Sequence, residues 1–224
     1  MLGWEPPSRP LPRTALRVLD GRGIHLPSHL FRLETSASQL GWNVAWLDKI
    51  KPELTAWISG CGTAACRLQL FPDAVSARLE AIPDPFQSFR LLPMAHPLGD
   101  IRDNEKAAHK GLLGTWDIQM RNLALERRAD DVLLLWPDGS IAETTFAAVG
   151  LQIQNRLLLP PPEGRVSSIT EAVELPLWAM AHGLAIQQRP LALDEVSTGQ
   201  LWCMNAVRGL WQAEVVQLLG NERE

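Results

Sequence analysis

Residues 132–141 read Val-Leu-Leu-Leu-Trp-Pro-Asp-Gly-Ser-Ile. Two apolar runs flank a Pro-Asp-Gly turn, in which proline presets φ and glycine accepts the positive φ that the turn requires. This is a strong β-hairpin signal, and it commits the second half of the chain to paired strands. A second hairpin is expected between Leu151-Gln152-Ile153 and Leu157-Leu158-Leu159, turning at Asn155-Arg156. A third is expected between Cys66–Phe71 and Val75–Ala81, around Pro72-Asp73.

Helices and shorter strands fill the rest. Ala15–Leu19 reads as a strand closed by Asp20-Gly21, with another apolar stretch near Ile24. Pro27 and Ser28 open a helix that runs to about Leu40 and stops at Gly41, with Leu30, Leu33 and Ala37 at helical spacing. Further helices are expected over Val44–Ser59, Leu112–Arg128 and Ile169–His182, the last ended by Gly183. Phe86–Leu92, Leu184–Gln188 and Gln200–Met204 read as strands. Pro93–Asn104 is rich in Pro, Gly and Asp and reads as a linker. The expected class is therefore α+β in two lobes, a small N-terminal one over residues 1–99 and a larger one over residues 100–224.

Composition narrows the partners. The 224 residues are 46% hydrophobic and 21% charged, with a formal net charge of -4. That is an ordinary soluble balance, and it provides no basic field to attract nucleic acid or anionic lipid. No run of about 18 apolar residues exists to span a membrane. The N-terminus lacks the basic-then-apolar pattern of a signal peptide, so the cytoplasm is the expected location. Cys61, Cys66 and Cys203 have no CxxC spacing, which argues against a disulfide framework or a zinc ribbon. His25 and His29 are separated by Pro27, which breaks any common helical face, and no metal site is expected.

Several weak signals occur in one order. They are Lys110, a following helix, the block Ala129-Asp130-Asp131-Val132-Leu133-Leu134-Leu135, then Asp138-Gly139-Ser140-Ile141-Ala142-Glu143. Ser167-Ser168-Ile169-Thr170 at a helix start and Asn205-Ala206-Val207-Arg208-Gly209 come after. His29-Leu-Phe-Arg32-Leu33 lies far upstream. Alone, Lys110 is an ordinary solvated lysine, Glu143 a strand glutamate facing water, Arg32 a surface arginine, and Ser168 a helix cap. In register, the set resembles the fold-type IV enzymes that use pyridoxal 5'-phosphate (PLP), the class IV aminotransferase family. The resemblance covers roughly residues 15–40 and 108–216.

The resemblance implies a role for each residue. Lys110 would be the Schiff-base lysine and the general acid and base. Glu143 would face the pyridine nitrogen and keep it protonated. Arg32 would reach the cofactor phosphate, matching its oxygens with a planar fork. Ser168, Ile169 and Thr170 would offer N–H and hydroxyl donors to that phosphate at a helix start. Asn205 and Ala206 would add a second backbone contact, and Arg208 is a candidate for a substrate carboxylate or for a structural ion pair. A small amino substrate and a homodimer are expected as partners.

Four departures from the family pattern are visible. Only about a dozen residues precede Ala15, where the family has two strands and a G-D-G-x-F-E-T segment, so part of the substrate lobe is expected to be missing. Ala147-Ala148 replace a Ser-Asn pair, and Ser168 replaces the glycine of a P-G-I-T loop. Glu171 stands where the family has arginine, and a carboxylate there is unfavourable beside a phosphate unless it points away. Within the family, the Asn205–Gly209 segment is most similar to aminodeoxychorismate lyases, which cleave 4-amino-4-deoxychorismate to p-aminobenzoate and pyruvate in folate synthesis. A branched-chain or D-amino-acid aminotransferase, or a non-catalytic member, are the alternative expectations.

Overall fold

The computed structural model describes residues 11–111 and 116–216. Among these, residues 11–84, 105–111 and 206–208 form one unit, and residues 85–104, 116–205 and 209–216 form the other. Neither is one continuous stretch, whereas the sequence suggested a single boundary near residue 100. The short segment carrying Lys110 groups with the N-terminal part because the Lys110 carbonyl accepts the Arg13 N–H at 3.2 Å.

The first unit is built on an antiparallel sheet. Strands β1 (Arg13–Leu19), β2 (Arg22–Gly23), β3 (Ala64–Leu70) and β4 (Val75–Glu80) lie in the order β2-β1-β3-β4. Strand β1 alternates cleanly, with Thr14, Leu16 and Val18 buried. Helix α1 (Leu26–Ser38) has Pro27 in its first turn, where the missing N–H would have no helical partner anyway. Its buried stripe is Leu26, His29, Leu30, Leu33, Ser36 and Ala37, three to four residues apart as an amphipathic helix requires. Helix α2 (Leu47–Ser59) starts three residues after the expected Val44. Val44 is buried in the turn before it, and its carbonyl accepts the Leu47 N–H at 2.8 Å. Leu16, Val18, Leu33, Leu47, Ile58 and Leu68 make a common core.

The second unit carries an eight-stranded mixed sheet. Its strands are β5 (Arg90–Ala95), β6 (Asp131–Leu135), β7 (Ile141–Thr144), β8 (Ala148–Ile153), β9 (Arg156–Leu159), β10 (Ala185–Gln188), β11 (Gln200–Asn205) and β12 (Gly209–Val215). The order is β10-β9-β8-β11-β12-β5-β6-β7, parallel at β10/β9, β12/β5 and β5/β6 and antiparallel elsewhere. Helix α3 (Trp116–Glu126) precedes β6, and α4 (Leu175–Ala181) precedes β10. Leu91, Leu133, Ile141, Val149, Leu151 and Cys203 belong to the largest core cluster of this unit. With α1 to α4 and the two sheets, the class is α+β, as expected.

Several boundaries differ from the sequence reading. The strand expected over Phe86–Leu92 is β5, Arg90–Ala95, because its parallel register with β6 runs from Leu91 opposite Asp131 to Ala95 opposite Leu135. It therefore enters the stretch read as a linker. Pro93 is tolerated there because the β12 pairing of β5 extends only over Arg90 and Leu91. Strand β12 was not foreseen. The β8–β9 turn is Gln154-Asn155, one residue early, with Gln154 at φ 53. Helix α3 is described only from Trp116, since 112–115 lie outside the described residues, and it stops before Arg128, which takes φ 60. The Ile169–His182 helix contains a π-turn, Thr170–Glu174, that continues into α4.

Candidate active site

Lys110 follows a short 3-10 turn, Glu105–Ala108, and is half-buried. Gly111 behind it has φ 94, and an added Cβ would fall 2.3 Å from the Leu11 carbonyl oxygen. Glycine is thus required for this backbone to lie against the start of β1. His109, just before the lysine, places its Nδ1 2.9 Å from the Ser36 Oγ of α1. Burial and the Arg32 charge lower the pKa of His109.

A second chain of polar groups lies in the same unit. Arg32 Nη2 donates to Thr14 Oγ1 through a short hydrogen bond. Thr14 Oγ1 is in turn 2.6 Å from His29 Nδ1. Burial, then the charges of Arg32, His25 and Lys110, lower the His29 pKa to about 3. The ring is therefore neutral near pH 7, and its Nδ1 shares one hydrogen bond with the Thr14 hydroxyl. His29 Nε2 is buried with no hydrogen-bond partner among the described residues. Burial lowers Arg32 to about 10, which still leaves it charged at neutral pH. Lys110 and Arg32 thus both act on His29, and the structure brings them together in one unit.

In the second unit, Glu143 is 7% exposed rather than facing water. The reason is local. Leu133 pairs with Thr144 and Leu135 with Ile141, so β7 contains one more residue than β6 across this stretch. Such a bulge re-aims a side chain, and all four β7 residues are buried. Glu143 Oε1 accepts the Val166 N–H at 3.1 Å. The next residues are fixed from β6. Asp131 accepts the Thr145 hydroxyl at 2.7 Å and the Thr145 N–H at 3.2 Å, and burial raises its pKa to about 6. Ala147, in the family's Ser position, donates its N–H to Thr144 Oγ1 at 3.0 Å.

Thr170 is fully buried, and its Oγ1 has no hydrogen-bond partner among the described residues. Ser168 Oγ accepts the Glu171 N–H at 3.2 Å and so acts as a helix cap. Ile169 is buried beside it. Glu171 is turned onto Arg165, with carboxylate-to-guanidinium distances of 3.1 and 3.2 Å. The carboxylate that seemed misplaced in the sequence is thus neutralised within its own loop. Asn205 ends β11, with its Nδ2 3.5 Å from the Phe146 carbonyl. The Ala206 carbonyl accepts the Arg17 N–H at 3.1 Å. Arg208 Nη1 donates to the Asp84 carbonyl at 2.6 Å, so its guanidinium anchors backbone in the first unit instead of pairing with a carboxylate through that nitrogen.

Sequence reasoning missed Thr14, His109, Asp131 and Arg165. A strand threonine, a lone histidine and a loop arginine carry no spacing signal, and their partners are 15 to 73 residues away or lie in a proline-rich loop. Asp131 stood in the recognised block, but nothing there distinguishes a buried carboxylate from a solvated one.

The family model for amino-transferase class IV matches residues 14–216. No protein with a curated description matches the chain. Among solved structures, a Legionella pneumophila protein assigned as a 4-amino-4-deoxychorismate lyase is 19% identical, with a TM-score of 0.80, over 94% of this chain and 84% of that one. The 4-amino-4-deoxychorismate lyase of Pseudomonas aeruginosa is 21% identical, with a TM-score of 0.69, over 92% and 82%. A hypothetical aminotransferase of Mycobacterium tuberculosis in its PLP-bound form is 20% identical, with a TM-score of 0.76, over 92% and 80%. At these identities the likeness is one of fold.

Proposed function

The chain belongs to the class IV amino-transferase family of PLP-dependent enzymes, and from that premise we propose that it is a lyase releasing p-aminobenzoate and pyruvate from 4-amino-4-deoxychorismate. The buried groups fit the cofactor. A fully buried threonine hydroxyl without a partner among the described residues, at the start of a helical run, suits a phosphate oxygen. A buried strand carboxylate suits a protonated ring nitrogen. Arg32 offers a charged fork, held in place by Thr14. Glu171, paired to Arg165, brings no repulsive charge.

Bound PLP supplies an electron sink for the bonds around the substrate's amine-bearing carbon. In this reading Lys110 would hold the cofactor, and its amine, once displaced by the substrate's amine, would take the proton from that carbon. Glu143 holds the proton of the ring nitrogen. Arg32, with donors of Ser168, Ile169 and Thr170, holds the phosphate, and Asn205 and Ala206 add to that grip. Breaking the ether C–O bond would release enolpyruvate, which takes up a proton to become pyruvate, and would leave an aromatic ring, which makes the step favourable. Arg208, whose Nη1 is held by the Asp84 carbonyl, would meet a substrate carboxylate. The protein acts in the cytoplasm as a homodimer.

The observation that carries the choice of lyase is the Asn205-Ala206-Val207-Arg208-Gly209 segment between β11 and β12, in the version found in aminodeoxychorismate lyases. Incubation with 4-amino-4-deoxychorismate and no keto acid should release p-aminobenzoate and pyruvate in equal amounts. Product formed only from an amino donor with an added keto-acid acceptor would instead make the protein an aminotransferase.

A further inference from the structure

Arg165 was not singled out by the sequence, yet it is only 2% exposed. Four of its five N–H groups are used. Nε donates to the Pro161 carbonyl at 2.7 Å and Nη2 to the Pro160 carbonyl at 2.8 Å. Nη2 and Nη1 then grip the two Glu171 oxygens at 3.1 and 3.2 Å. This fork ties the end of β9 to the first turn of the helical run 170–181. The loop it closes also contains Val166, whose N–H meets the Glu143 carboxylate at 3.1 Å. Its far end is Thr170, whose buried hydroxyl has no partner among the described residues. The turn at that point is a π-turn, a wide form found mostly at functional places in helices.

We propose that Arg165 is a positioning residue for the phosphate end of the cofactor. It acts in two ways. It fixes Thr170 by holding the next residue, and it keeps the Glu171 carboxylate turned away from a bound anion. Where the family has an arginine after the threonine, this chain has a carboxylate tethered by a cation five residues before the threonine. The inference rests on the PLP reading above and adds a residue to it. Arg165 itself touches neither cofactor nor substrate in this scheme.

Removing Arg165 alone strips a partly buried carboxylate of its counter-ion and endangers folding. The informative variant is therefore Arg165→Met/Glu171→Gln, which removes both charges at similar volume. Dissociation constants for PLP and for pyridoxal, which lacks the phosphate, are measured on wild type and variant, with circular dichroism and melting as folding controls. The folded variant is expected to bind PLP at least about tenfold more weakly while pyridoxal binding changes less than about threefold. Arg165→Lys, which keeps the charge but not the fork, is expected to fall between. Equal losses for both ligands, or no loss for PLP, would overturn the positioning role alone. A wild type that takes up no PLP would overturn the cofactor reading and this inference with it.

Discussion

Burial decides the charge of His29, and through it the acid sensitivity of the first unit. Its pKa falls from 6.5 to about 3 in the folded chain. A group whose folded pKa is lowered is protonated first in the unfolded state. Its contribution is therefore full above about pH 6.5 and is lost as pH falls toward 3. Between pH 7 and pH 5 the loss is about 2 kcal/mol. Urea unfolding of wild type and His29→Gln at both pH values measures it. The variant should lose less stability than wild type over this range, and equal losses would contradict the assignment. Glu143 offers a second test. Glu143→Gln retains an oxygen for the Val166 N–H, so the fold and PLP uptake should survive. Steady-state turnover should fall on the order of 100-fold, because a neutral amide no longer stabilises the ring proton. Unchanged turnover would remove Glu143 from the chemistry.

At the level of elements, local chemistry explains what was legible. The Pro137-Asp138-Gly139 turn appears where expected because Gly139 takes φ 81, a conformation that its residue type announces. No atom lies within 4 Å of an added Cβ there, so Gly139→Ala should cost about 1 kcal/mol through backbone conformation alone. Gly139→Asn should cost less, since asparagine tolerates positive φ, and thermal melts of the two variants would show the order. Helix α1 was legible through Leu30, Leu33 and Ala37, which are all buried at the predicted spacing. What local pattern could not supply was pairing. Strand β12 has the burial sequence of Gly209 and Ala213 buried with the rest partly or fully exposed, which is not a period of two. Its existence depends on β11 beside it and on β5. The bounds of β5 are likewise set by its pairing with β12 and β6, not by its own apolar residues. The same limit applied to the site. Glu143, Thr170 and Arg32 were singled out through the family resemblance, whereas the contacts of Arg165 and Thr14 became visible only once distant segments were paired.

For the whole molecule, the two units each have their own core. Membership of the amino-transferase class IV family gives the cofactor chemistry, and the choice between lyase and transaminase is a matter of substrate. In the proposed reading Lys110 carries PLP. The direct measurement is to load the purified chain with PLP, record the visible spectrum, reduce with borohydride and map the modified peptide. A visible band is expected in the wild type, with its loss in Lys110→Ala and the reduced cofactor on Lys110 alone. A band that survives in Lys110→Ala, or a label on another lysine, would contradict it.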